Sequence, residues 1–306
     1  MALSHAGPVA LIASLAILGT LAVGMIARPS LPDAVGSCRP DFLPVSLATT
    51  SKIDPTDPHK ATLGAAASNR EATLRPVRRA IGSVAVAAEG DARERHCAAR
   101  TIAAWARSNA LGDMRGKDAN LTRGRLGAEV LLAAVHLDER SAFAPSDREA
   151  VAAWASGLAV STIAFFAERA GSESRINNHR QWAGLLVGAA SRLTGEATYL
   201  EWARQSAEIA LCHVMSEGFL PAELKRGRLA WRYHRYALRP VRALHALGAW
   251  DGVIDPCSKG LERLGAIAAD PTTIERATGI VQDGPVSETS FGPTLRLDPI
   301  TTDRGA

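Results

Sequence analysis

The sequence predicts an all-α protein. Three observations carry this. Alanine is abundant and 47% of the 306 residues are hydrophobic, yet alternating runs of β-branched and aromatic residues are scarce. Apolar residues recur at helical spacing along most of the chain. Glycine, aspartate or proline separates most of these stretches, as expected of helix boundaries.

The elements follow in order. Val9 to Ile26 is an uncharged apolar run, with Pro8 before it and Arg28 after it. Residues 1–28 therefore read as a signal peptide or membrane anchor, and the protein is expected to be periplasmic or secreted, with a membrane tether through residues 9–26 if the segment is kept. From Arg28 to about Lys60 the chain is rich in Pro, Asp, Ser and Thr and reads as loop. Helices are expected over 70–88, 91–110, 122–137, 146–170, 178–193, 197–214, 229–249, 257–268 and 271–280. Gly171, Gly195 and Gly218 follow candidate helix ends, where a left-handed cap suits glycine. Asp270-Pro271 reads as a helix start. From Gln282 onward the chain reads as an extended tail, with the tail region set at 284–306. Antiparallel helix hairpins recur, and periodicity alone leaves a bundle, a solenoid or a toroid open.

Charge and cysteines narrow the function. The net charge is +4. Arg226, Arg228, Arg232, Arg235, Arg239 and Arg242 crowd one stretch that holds no acid. Such a field suits a polyanion: an acidic polysaccharide, a nucleic acid or an anionic membrane. Cys38, Cys97, Cys212 and Cys257 lack metal-ligand spacing, and in an exported protein they allow two disulfides of undetermined pairing. His-Glu-x-x-His, Gly-x-Ser-x-Gly and Walker motifs are absent from the sequence, so no metal or other cofactor is expected. No nucleic-acid-binding module is recognisable.

Two stretches carry chemistry. In Arg175-Ile-Asn-Asn-His-Arg-Gln-Trp182, an amphipathic helix starts near Asn178, with Asn177 or Asn178 as N-cap and a stripe of Trp182, Leu185, Leu186, Ala189, Ala190 and Leu193. His179 lies at its N-terminal end, where the helix field favours a bound carboxylate and a neutral imidazole. The second stretch runs from Gly218-Phe-Leu-Pro-Ala-Glu223 through Arg226-Gly227 to Tyr233-His-Arg-Tyr-Ala237. The first part reads as a loop, and a helix from about Leu229 is disturbed at Pro240. Tyr233 is in phase with Ala230, Ala237 and Leu244, away from the arginine stripe. It therefore points to the interior or a cavity.

In order and spacing, these motifs resemble the alginate lyases of polysaccharide lyase family five. Asn177-Asn178-His179 comes first, then Gly218 to Glu223, Arg226-Gly227, and Tyr233-His234-Arg235-Tyr236-Ala237. Weaker similarity extends from Cys38 to about residue 283. The resemblance implies an incomplete α/α toroid over residues 29–283, most consistent with a monomer. It also implies β-elimination on a polyuronate, mannuronate-rich alginate first and glucuronan as the alternative. A non-catalytic polysaccharide binder on the same fold is the other reading. By motif, Asn178, His179 and Arg226 would neutralise the uronate carboxylate and Tyr233 would carry the proton, with Arg226 lowering the phenol pKa. Asn177, Arg175, Arg180, Trp182, His234 and Tyr236 are the expected substrate contacts.

Overall fold

The structure, a computed structural model, describes Cys38 and residues 42–249, 257 and 259–284. The apolar segment 9–26 and residues 285–306 lie outside the described residues. The described chain is a succession of helices: α1 (Ala67–Ala88), α2 (Ala92–Arg107), α3 (Lys117–Glu139), α4 (Pro145–Glu168), α5 (Asn178–Thr194), α6 (Ala197–Cys212), α7 (Pro221–Leu224), α8 (Ala230–Ala246), α9 (Lys259–Ala269) and α10 (Thr272–Thr278). Two short strands, β1 (Ser46–Ala48) and β2 (Asp113–Arg115), pair in parallel, Ser46 opposite Asp113.

The helices pair as hairpins into an open α/α toroid. Within each of the pairs α1–α2, α3–α4, α5–α6 and α8–α9, the two helices pack on each other. The first member of each pair lines a central cleft; no residue of α2, α4, α6 or α9 does. This layering explains the composition of α5. It packs against α3, α4, α6 and α8, and thirteen of its seventeen residues are buried. The expected stripe from Trp182 to Leu193 is buried throughout. α8 is two-faced instead: Ala230, Trp231, Ala237, Leu238, Val241 and Leu244 are buried, while Arg232, Tyr233, Tyr236 and Arg239 face the cleft.

Local signals account for most boundaries. Asp91 and Glu94 form a capping box at α2, each side chain accepting the other's backbone N–H. Asn177 caps α5 by accepting the His179 N–H at 3.0 Å. Gly195 ends α5 in the left-handed conformation as expected (φ 76°), whereas Gly171 keeps an ordinary φ. There, Arg175 closes α4 instead. Its guanidinium donates to the carbonyls of Ala167 and Ala170, both at 2.9 Å. The stretch expected as loop after Gly218 contains the short α7. α8 continues through Pro240 to Ala246, within the expected span 229–249. Cys38 pairs with Cys97, and Cys212 with Cys257.

The inner–outer contact leaves no room where α5 meets α6. A Cβ placed on Gly184 would lie 2.5 Å from Ser206 Cβ. Ser206 is itself fixed, accepting from Arg180 Nε and donating to the Trp202 carbonyl. Gly157, on the exposed side of α4, has nothing within 4 Å of such a Cβ. Alanine gains up to about 1 kcal/mol over glycine in a helix, whereas overpacking costs about 1–3 kcal/mol. Gly184→Ala should therefore lower the stability measured by urea unfolding, and Gly157→Ala should raise it by about 0.5–1 kcal/mol. Equal shifts for the two would refute the close α5–α6 contact.

Candidate active site

The cleft has a volume of about 1460 Å³ and is lined by twelve Lys and Arg side chains against six Asp and Glu. Density of positive charge is visible at Lys52, whose ammonium is held below its ordinary pKa by desolvation and by Arg70, Arg125, Arg232 and Arg78. The loop of residues 50–63 forms one wall. It reaches the opposite rim through His59 Nδ1, 3.1 Å from the Lys225 carbonyl, and through a Lys60–Glu173 ion pair.

Both chemical stretches meet in this cleft. Asn177, Asn178 and His179 stand at the N-terminus of α5; Arg226 precedes α8 and Tyr233 lies in its first turn. A carboxylate joins them. Glu223, in α7, is 0% exposed. Its Oε1 accepts from Asn178 Nδ2 at 2.8 Å and from the Asn178 backbone N–H at 3.2 Å. Its Oε2 accepts from Arg226 Nε at 3.4 Å. Burial pushes this carboxyl up, and Arg226 and the two Asn178 donors oppose it. The Arg226 guanidinium carbon lies 4.6 Å from the centroid of the Tyr233 ring, over the ring that carries the phenol.

The electrostatics refine the expectation for Tyr233. Arg226, Arg232 and Arg70 all lower its pKa, as anticipated for Arg226, but burial raises it more, and the phenol sits above its ordinary value. His179 is neutral, with burial first and Arg226 second holding its pKa down to about 4. The neutral form was expected from the helix N-terminus; desolvation is the larger cause.

The other expected contacts divide. Trp182 and Tyr236 line the cleft with their rings 5.2 Å apart, and Arg125 lies 5.9 and 5.7 Å from the two centroids. Asn177 lines it too, as the cap. Arg175, Arg180 and His234 do not. Arg175 is the α4 cap described above. Arg180 packs 3.7 Å over the Trp202 ring and bonds Ser206. His234 is fully buried: its Nδ1 lies 2.7 Å from the Ala230 carbonyl and its Nε2 accepts the Leu220 N–H at 2.9 Å. These three shape the fold. The arginine stripe also splits, Arg232 and Arg239 facing the cleft while Arg235 lies over Trp231. Glu223 ends the Gly218–Glu223 motif, and the sequence alone assigns it no role. Arg70 and Arg125 carried no signal, because α1 and α3 hold no motif that marks a cleft face.

Comparison with known proteins decides the family. The sequence profile described as alginate lyase matches residues 50–255. The chain belongs to the alginate lyase family. Among curated alginate lyases, that of Pseudomonas syringae pv. syringae (strain B728a) is 29% identical over 254 residues, covering 78% of this chain and 67% of the relative. That of Pseudomonas paraeruginosa (strain DSM 24068 / PA7) is 28% identical over 271 residues, covering 82% and 73%. In fold the chain is similar to alginate lyase A1-III from Sphingomonas species A1, with a TM-score of 0.65 at 15% identity, over 83% of this chain and 74% of that one. A histidine-to-alanine variant of A1-III complexed with tetrasaccharide gives 0.65 at 16% identity, over 84% and 74%. Membership of the alginate lyase family makes the protein a polysaccharide lyase with an acidic polysaccharide as substrate.

Two predictions follow from the geometry. Glu223→Gln keeps the shape but removes the charge facing Arg226. It should cost about 1–3 kcal/mol in urea unfolding; an unchanged midpoint would mean that Arg226 has another counter-charge. His179 and His234 are both held down to about 4, His234 mainly by burial. Between about pH 6.5 and 4 the unfolded chain thus binds protons that the folded chain refuses. Stability is complete above this window and falls as pH is lowered through it, by up to about 1.4 kcal/mol per pH unit for each histidine. Imidazole ¹⁵N shifts at pH 5 should show both rings neutral, and a midpoint near the ordinary value for either would contradict this.

Proposed function

We propose that the protein cleaves mannuronate-rich alginate by syn β-elimination, with Tyr233 as proton carrier and Asn178, His179 and Arg226 as the carboxylate-binding group. The observation that carries the reading is the convergence of these four side chains in one basic cleft, Asn178 and Arg226 being held by one buried carboxylate.

The reaction has a specific electrostatic need. The proton on C5 of a uronate is weakly acidic while the adjacent carboxylate keeps its charge. Donors from Asn178 and Arg226, with the neutral His179 beside them, offset that charge and the further charge that develops on the carboxylate. Preorganised donors of this kind contribute about 2.7–4 kcal/mol each. The Tyr233 phenolate then takes the C5 proton. The C5–H electron pair becomes the C4=C5 double bond, the C4–O bond breaks towards oxygen, and the phenol returns its proton to that oxygen. In mannuronate the C5 hydrogen and the C4 oxygen share a face, so one tyrosine serves both transfers. The solved A1-III complexes support the choice of residue types, since tetrasaccharide is bound in a His-to-Ala and in a Tyr-to-Phe variant. We further propose export to an oxidising compartment, for which the two disulfides and the segment 9–26 speak, with that segment as leader or tether, and action as a monomer.

Full-length protein incubated with polymannuronate should generate the ultraviolet absorbance of the 4,5-unsaturated product. Tyr233→Phe should abolish it, and Asn178→Ala should reduce the rate by about 10²–10³. Because the Tyr233 phenol is raised and must ionise to accept a proton, kcat/KM should climb with pH through neutrality, up to about tenfold per unit. Turnover by Tyr233→Phe at wild-type rate, or a rate falling from pH 7 upward, would rule out this role.

A further inference from the structure

The chain that follows α10 returns to the cleft and places a carboxylate on two of its cations. Gly279 turns it back at φ 69°. Gln282, only 8% exposed, is then seated from several sides. Its Oε1 accepts the Trp231 N–H at 2.9 Å, its Nε2 donates to the carbonyls of Gly227 and Ile280 at 3.2 and 2.9 Å, and its own N–H reaches Glu275 Oε1 at 2.8 Å. The next residue is fixed by its backbone, the Asp283 N–H donating to the Arg228 carbonyl at 2.8 Å. Its carboxylate accepts from Arg228 Nη1 at 2.5 Å and lies 4.0 Å from Arg232 Nη2.

Asp283, Arg228 and Arg232 line the same cleft as Tyr233, and Arg232 is near enough to lower the Tyr233 phenol. We propose that Asp283 is a specificity-determining residue. Its carboxylate takes the place of a substrate uronate carboxylate on Arg228 and Arg232, so that the run of sugar-binding positions ends there. The inference rests on the polyuronate reading above. A polyanion carries one carboxylate per sugar, and each gains affinity only from a cation that is not already engaged. Arg228 is engaged by Asp283 before substrate arrives. The Arg228 and Asp283 side chains remain 55% and 28% exposed, so solvent weakens the pair and a long polymer meets it as a barrier to be displaced rather than as a wall. The anchoring of Gln282 makes the position of the carboxylate a property of the fold.

The test measures affinity as a function of oligomer length. Oligomannuronates of increasing length would be titrated calorimetrically into full-length Tyr233→Phe protein, with and without Asp283→Asn. The asparagine keeps the backbone bond to Arg228 and the Gln282 anchors. Short oligomers should bind both proteins alike. The longest should bind the Asp283→Asn protein about two- to fivefold tighter at low salt, with the difference closing at high salt. Glu217→Gln, an exposed acid outside the cleft, controls for net charge. A cycle with Arg228→Gln separates the interaction from any loosening of the segment: removing Arg228 should weaken long-oligomer binding more when Asp283 is absent than when it is present. Equal affinities at every length, a shift matched by Glu217→Gln, or no coupling to Arg228 would overturn the proposal. Failure of folded wild-type protein to release unsaturated product would instead overturn the reaction assigned above, since the ratio of affinities does not depend on turnover.

Discussion

A carboxylate with no solvent exposure organises the site. Glu223 can be buried only if donors surround it, because an unpaired charge in the interior is far costlier than any single packing contact. The donors come from two places: the amide and backbone of Asn178 at the start of α5, and the guanidinium of Arg226 ahead of α8. Glu223 and Asn178 are 45 residues apart in the chain. Burying this one group therefore draws the N-terminal ends of two inner helices together and sets the direction of the groups that would meet a substrate carboxylate. Glu223 also orients both side chains, since one carboxylate oxygen bonds Asn178 and the other Arg226.

The same guanidinium lowers the pKa of two neighbours, once with burial and once against it. Beside His179 a positive charge disfavours the imidazolium, and it acts together with burial, so the ring is firmly neutral. Beside Tyr233 it favours the phenolate, and it acts against burial, which prevails. Enclosure therefore has a different consequence for each group. It keeps the imidazole at position 179 neutral and holds the phenol at position 233 protonated. On the proposed mechanism, in which the phenolate is the base, Arg70 and Arg232 join Arg226 in opposing that effect.

Much of this was legible in the sequence, for physical reasons that can be named. α5 and α8 were readable because each buries a face with a 3.6-residue period. Asn177 was readable as a cap because its side chain satisfies a backbone donor two residues on. The four central residues were readable through motif resemblance. What was not legible was the placement of individual side chains whose surroundings come from elsewhere in the chain. Arg175, Arg180 and His234 sit within the motifs, but their partners are carbonyls of α4, Ser206 and Trp202 of α6, and the Leu220 backbone. Long polar side chains one or two positions apart on a helix point in unrelated directions, and only packing decides which of them meets the cavity. The segment from Gln282 was expected to be an extended tail because Pro, Thr and Asp dominate it. Composition reports the lack of a periodic apolar face, but it does not report that one glutamine can be bound at both ends of its amide.

The inner–outer architecture also explains why the cleft can be so basic without loss of the fold. The inner helices pack on one another and on α2, α4, α6 and α9 through largely apolar faces. The cations occupy the opposite faces, which line the cleft. Several are restrained by acids of the cleft itself: Arg70 by Asp118, Arg125 by Glu129, Lys60 by Glu173 and Arg228 by Asp283. Such pairs contribute little to stability at exposed sites, and their consequence is for binding. A wall of unpaired cations would bind substrate and cleaved product with similar strength, which gains nothing for the chemical step. Partial pairing lowers that uniform attraction along the cleft. At the Asn178–Arg226 position the pairing carboxylate is instead fully buried, as Glu223, and bonds both side chains.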